Sequence, residues 1–177
     1  NVELDASVFY ECSSLKDLAL PRLLKVANSY LFLGCTSFTK IVLPNSVYSI
    51  ARFTFSEFTS LRHIKLSDSL MWIGEGAFKG CISLEEIILP PKLVGLDHRA
   101  LEGCEKLVTA DFHKVKEELD LGEYVFNNCK SLRNIKWANH LKTNSIPVGF
   151  FKNCSSLTSF DFKGFDIICE NAFRGCS

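Results

Sequence analysis

Eight cysteines and four histidines are the residues of this sequence with the widest chemistry open to them. Paired cysteines build disulfide frameworks, Cys and His at short spacings hold zinc, and a single activated thiolate is a nucleophile. Position decides among these. Cys12, Cys35, Cys81, Cys104, Cys129, Cys154 and Cys176 each stand three residues after a phenylalanine or leucine, and where an eighth copy is due the chain has Phe58. A position that accepts phenylalanine is used as apolar volume, and cysteine is among the residues most often buried. These seven read as buried free thiols ahead of a disulfide or a metal site. Cys169 stands outside the series and is the one thiol placed for reaction, although an ordinary half-buried cysteine is the plainer reading.

His63, His98, His113 and His140 fall at unrelated positions, with no H-x-x-x-H or C-x-x-C spacing near them, and read as surface or loop residues. Glu85-Glu86 and Asp97-His98 are adjacent pairs rather than triads, and no G-x-S-x-G, phosphate-loop or dinucleotide fingerprint occurs. Neither catalysis nor a cofactor nor a metal is expected. Asn153-Cys154-Ser155 matches the glycosylation sequon, but its cysteine belongs to the buried series, so modification there is not expected.

The elements that position these residues are repeats. The anchor F-x-x-C-x-x-L recurs from Phe9, Phe32, Phe55, Phe78, Leu101, Phe126, Phe151 and Phe173, at steps of 23, 23, 23, 23, 25, 25 and 22 residues. After it comes L-x-x-I-x-L, as in Leu61, Ile64, Leu66 and Leu84, Ile87, Leu89, often closed by proline as at Pro21, Pro44 and Pro90. Apolar residues two apart predict a short strand with one buried face, and proline ends it. A third pair precedes each anchor by eight and five residues (Leu24 and Ala27, Val47 and Ile50, Leu70 and Ile73) and predicts a second extended segment. The three-to-four spacing within A-F-x-x-C-x-x-L predicts a short helical turn.

A unit of about 23 residues cannot bury a core alone, so the units must stack with strands paired in parallel. The expected fold is an α/β repeat protein: a curved, right-handed solenoid of about seven and a half coils of 22–25 residues, spanning 1–177 as one domain. Both 25-residue steps insert two residues, around Lys114 to Gly122 and Asn139 to Ile146, and these insertions are expected to bulge as loops. Neither end shows a polar cap, so the array is expected to belong to a longer protein.

The pattern L84-E-E-I-I-L-P-P with Leu93 and Leu96, and I73-G-E-G-A-F-K-G-C, resembles the BspA-type leucine-rich repeat family over essentially the whole chain. Phe58, Leu101 and the missing prolines after Leu66, Phe112, Trp137 and Phe162 are departures that weaken the regularity of the coils without contradicting the fold. The resemblance implies a surface or secreted module for adhesion and recognition in bacteria and parasitic protists.

Composition narrows the partner. Twenty basic residues balance 20 acidic ones, which gives no electrostatic reason to expect nucleic acid or an acidic membrane surface. No apolar run is long enough to span a bilayer, so direct membrane insertion is not expected. The start Asn-Val-Glu-Leu-Asp has no signal-peptide character, which suits a mature protein or an excised fragment.

Specificity is left to side chains that do not repeat. The outward position of the first strand runs Ala19, Val42, Lys65, Ile88, Asp111, Lys136, Asp161, and its flank runs Asp17, Lys40, His63, Glu86, Thr109, Asn134, Ser159. In the second segment Val26, Tyr48, Met71, Trp72 and Val94 lie between the buried pairs, where stacking would set them side by side. Such patches mark binding sites, unless Met71 or Trp72 packs under a neighbouring loop. The expected role is recognition of a protein or glycan, with Tyr48, Met71, Trp72 and Val94 on one ladder and Lys65, Glu86 and Ile88 on the other as candidate contacts. A structural spacer that self-associates is the alternative, and an enzyme would need a flanking domain.

Overall fold

A computed structural model describes residues 3–138, 143 and 145–176. His140 and most of the second insertion lie outside the described residues. The chain forms short strands only: β1 (Val26–Ala27), β2 (Lys40–Val42), β3 (Ser49–Ile50), β4 (His63–Lys65), β5 (Trp72–Ile73) and β6 (Glu86–Ile88). They continue as β7 (Gly95–Leu96), β8 (Thr109–Asp111), β9 (Asp120–Leu121), β10 (Asn134–Lys136), β11 (Ser145–Ile146) and β12 (Ile167–Ile168). Every pairing is parallel and links the same element of successive coils.

The two-residue strands β1, β3, β5, β7 and β9 form one sheet, and β11 pairs β12. The three-residue strands form β2–β4 and β6–β8–β10, with β4 and β6 in contact but unpaired. Prolines work as expected: the carbonyls of Pro21, Pro44 and Pro90 each accept the N–H three residues on, turning the chain from one sheet to the other. After Leu66, one of the coils without proline, Ser67 takes that place and its carbonyl accepts from Leu70.

Two expectations are corrected. The paired strands account for about six turns of the seven and a half expected. The first and last L-x-x-I-x-L copies, 15–20 and 157–162, form no strand. Nor is there any helix among the described residues, so the fold is a β-solenoid and not α/β.

The physical reason is a backbone pattern in the anchor segment. Two residues per coil, four apart, have positive φ: Ser7 and Glu11, Tyr30 and Gly34, Phe53 and Glu57, Gly76 and Gly80, Arg99 and Gly103, Tyr124 and Asn128, Gly149 and Asn153, Asn171 and Gly175. A right-handed helix cannot pass through left-handed residues at that spacing. Instead, alternate amides turn outward to the next coil. Phe53, Phe55 and Glu57 donate to the carbonyls of Glu75, Ala77 and Lys79, while Gly76, Phe78 and Gly80 donate to His98, Ala100 and Glu102. The amides between them close tight turns within the coil, as Ala77 does to Gly74 and Lys79 to Gly76. The anchor segments are thus a third hydrogen-bonded ladder, and that cross-coil bonding offsets the strain of aromatic residues at positive φ.

Inside the coil the apolar positions form a continuous core. The anchor rings stack from coil to coil, with centroids 5.1 Å apart for Phe9 and Phe32, 5.6 Å for Phe32 and Phe55, and 5.4 Å for Phe55 and Phe78. Leu101 interrupts the stack, which resumes between Phe126 and Phe151 at 5.6 Å. Phe58, in a cysteine's place, is fully buried and stacks on Phe38 at 5.4 Å.

Candidate binding faces

The cysteines lie against backbone oxygen. Cys35, Cys81, Cys104, Cys129 and Cys154 are fully buried, and each thiol donates to the carbonyl of the preceding coil's anchor, as Cys81 does to Phe55 at 3.2 Å and Cys104 to Phe78 at 3.3 Å. Burial pushes the Cys35 thiol up to about 11 and raises those of Cys81, Cys104 and Cys129 as well, which removes the thiolate that chemistry needs. Cys169 is half-buried, but so are Cys12 and Cys176 in the end coils, so it is not alone in its access to solvent.

The charged candidates disperse. His63 is exposed on β4. His98 accepts the Glu123 N–H on Nδ1 at 3.0 Å, with Nε2 3.9 Å from Asp97. Asp111, 4% exposed, is bound by the His113 ring and by Lys136 at 3.2 Å. Its burial opposes ionisation, but the hydrogen bonds from His113 and Lys136 outweigh that and leave its carboxyl below the usual range. Glu85 meets only Arg62, at 4.0 Å between exposed groups, and Asn153 donates its amide to Asn128. Among the described residues no three of His, Cys, Asp and Glu are grouped to hold a metal.

The seven candidate contacts fall on two ladders. On the three-residue strands, register sets Lys40 beside His63 and Val42 beside Lys65, then Glu86 beside Thr109 and Ile88 beside Asp111. Lys65, Glu86 and Ile88 are exposed, but apolar and charged side chains alternate along the column and the pairing breaks between β4 and β6. No continuous apolar surface forms there.

The other ladder is different. The residues just before β3, β5 and β7 are Tyr48, Met71 and Val94, and their backbones bond directly: Met71 N–H to the Tyr48 carbonyl at 2.8 Å, Val94 N–H to Met71 at 2.9 Å. Neighbouring rungs are about 4.8 Å apart, so these three side chains form one stripe. The next column runs Val26, Ser49, Trp72, Gly95, Asp120. Tyr48 is 45% exposed, Met71 45% and Trp72 38%.

Trp72 is placed by the residue one coil on. A Cβ on Gly95 would stand 2.0 Å from Cζ3 and 2.1 Å from Cε3 of the indole, so the six-membered ring lies directly over Gly95. The expectation that Trp72 might be covered by a loop gives way to a more specific arrangement, in which Trp72 itself is the cover. Phe53 does the same to Gly76, and Tyr124 to Gly149. An aromatic residue followed by glycine one period later is the sequence signal of this arrangement, and it lies in the positions that vary between repeats. Beyond the indole the surface turns acidic, with Glu118 and Asp120 exposed and Asp97 half-buried, at the edge of the first insertion. In that insertion Lys114, Lys116, Glu117 and Glu118 are exposed around a buried Val115.

Comparison with known proteins agrees with this architecture. The family model for the BspA type leucine rich repeat region matches in six copies, over residues 2–120 and 53–177. A T. pallidum leucine rich repeat protein of known structure is 28% identical, with a TM-score of 0.61, covering 74% of this chain and 71% of its own. A leucine-rich repeat protein from Bacteroides ovatus is 22% identical, with a TM-score of 0.57, over 98% of this chain and 68% of its own. A leucine rich cell surface protein from Faecalibacterium prausnitzii is 22% identical at a TM-score of 0.57, and the match spans 97% of this chain but only 54% of that protein. No curated protein matches the chain.

Proposed function

We propose, from the premise that the chain belongs to the BspA-type leucine-rich repeat family, that it is a non-enzymatic recognition module that binds a protein or glycan outside the cell. The observation that carries this reading is the stripe of Tyr48, Met71 and Val94 beside Trp72, large apolar side chains held in register on hydrogen-bonded coils and left partly open to solvent. A rigid backbone lowers the entropy lost when such anchors are covered, which is how a few aromatic residues come to dominate an interface. Lys65, Glu86 and Ile88 are secondary candidates on the other ladder. Cell-surface or secreted placement is supported by likeness to the Faecalibacterium cell surface protein. Among the described residues no helix is long and apolar enough to cross a membrane.

The test compares the chain with its Tyr48→Ala/Met71→Ala variant for binding to purified extracellular proteins and glycans, with circular dichroism to confirm the fold. Each side chain is exposed, so the variant should keep the fold and lose tenfold or more in affinity, by about 1 to 2 kcal/mol per truncated anchor. Equal binding by both proteins would reject this face. Placement is checked by protease treatment of intact cells, where survival of the chain would count against surface exposure.

A further inference from the structure

The apolar stripe and the indole run toward carboxylates that, among the described residues, pair with no lysine or arginine. We propose that this face binds an extended protein segment in which apolar residues are followed by a lysine or arginine, the apolar part on Tyr48, Met71 and Val94 and the cation over Trp72, beside Asp97, Glu118 and Asp120. The proposal rests on the recognition reading of the same face and adds the chemistry of the partner.

Three observations support it. The Trp72 ring is laid over Gly95, which is buried, and Asp120 is the next rung after Gly95, about 4.8 Å on along the backbone ladder, so ring and carboxylate line one cavity. An indole offers the strongest aromatic surface for a cation, and a carboxylate alongside adds direct charge attraction. Next, two cavities share Asp120 and Leu121: one of about 130 Å³ lined also by Trp72, Asp97 and His98, the other of about 470 Å³ lined also by Val94 and Glu118. Neither has a lysine or arginine in its described lining. Finally, among the described residues Glu118 and Asp120 form no ion pair, and Asp97 has only His98 beside it. His98 Nδ1 is already taken by the Glu123 N–H.

An anionic partner would meet three carboxylates, and a wholly apolar one would leave them unpaired. A protein segment satisfies both ends.

The test selects phage-displayed random nonapeptides on the immobilised 177-residue chain, with a glycan array probed in parallel. Selected peptides should carry Lys or Arg next to apolar residues. Synthetic versions should lose about 3- to 10-fold in affinity against Trp72→Ala or Glu118→Gln/Asp120→Asn, and bind more weakly as salt rises. The carboxylate variant changes only exposed groups without ion-pair partners, so it keeps the test sound if Trp72→Ala disturbs the strand. Peptides without a basic residue that still depend on Tyr48 and Met71, or peptides indifferent to the carboxylate variant, would overturn this inference and leave the recognition reading standing. Glycan binding in place of peptide binding would do the same. Absence of any peptide or glycan that discriminates the wild type from Tyr48→Ala/Met71→Ala would overturn both.

Discussion

The placement of Trp72 over Gly95 makes a sign-reversing prediction. In Gly95→Ala the new Cβ would stand 2.0 Å from Cζ3, 2.1 Å from Cε3 and 2.6 Å from Cη2 of the ring. Carbon atoms rest at roughly 3.5 Å or more, so the indole must move by about 1.5 Å, off its rotamer or off the strand. Overpacking of that kind costs about 1–3 kcal/mol, and Gly95→Ala should destabilise the chain by that amount. In a Trp72→Ala background the obstacle is gone. Gly95 is not among the residues with positive φ, so alanine there only restricts the unfolded chain and should stabilise by about 0.4–1 kcal/mol. Urea denaturation of the four proteins of this cycle, followed by circular dichroism, gives each midpoint and slope. The midpoint should fall for Gly95→Ala in the wild type and hold or rise in Trp72→Ala, with a coupling above about 1 kcal/mol. Equal cost in both backgrounds would refute the placement of the ring, and with it the geometry on which the basic-segment proposal depends.

Other positions rank by the same reasoning. Gly76→Ala combines a φ of +57° with a Cβ 2.4 Å from the Phe53 ring, whereas Gly103→Ala, with φ +75° and nothing nearer than 3.8 Å, meets only the backbone penalty. Denaturation midpoints should fall for both and further for Gly76→Ala, with about 1–2 kcal/mol expected for Gly103→Ala. Cys104→Ala should cost about 1–2 kcal/mol for the small cavity and the lost S–H bond, because the Phe78 carbonyl keeps the Cys81 N–H. A thiol reagent at pH 8 should label at most Cys12, Cys169 and Cys176 in the native chain and the rest only after unfolding; rapid labelling of Cys81, Cys104 or Cys129 would contradict their burial. Asp111 titrates below its unfolded value of about 3.9, so its ionic contribution is fully present above that pH and is lost as pH falls through the lower folded value. The stability difference between wild type and Asp111→Asn should therefore shrink as pH falls through the acid range, as read from denaturation midpoints against pH.

The stacked core was legible because each rung uses one residue class: Leu61, Ile64 and Leu66 in one coil mirror Leu84, Ile87 and Leu89 in the next, and both sets face inward. The anchor was misread because a three-to-four apolar spacing suits a helical turn and a left-handed double turn alike. Its distinguishing marks were Gly34, Gly76, Gly80, Gly103, Gly149 and Gly175, with Asn128, Asn153 and Asn171 in the same two columns, all residues that tolerate positive φ. The candidate contacts on the first strand were legible as exposed, but alternation in register is a property of two coils together and shows only when rows are aligned. The third hydrogen-bonded ladder had no side-chain signature, since backbone groups form it.

That third ladder has a mechanical consequence. Along the anchor segments each coil donates its amides to the next, and each coil is held to its neighbours by bonds that run along the stacking axis. Tension applied between the two ends of the chain therefore passes through the coil boundaries in series, and an end coil can peel away while those behind it keep their own ladders. Each released coil of about 23 residues would lengthen the chain by roughly 75 Å at full extension. Such a molecule is a spring that pays out in steps, and whatever is docked on coils still stacked keeps its grip while the rest extends.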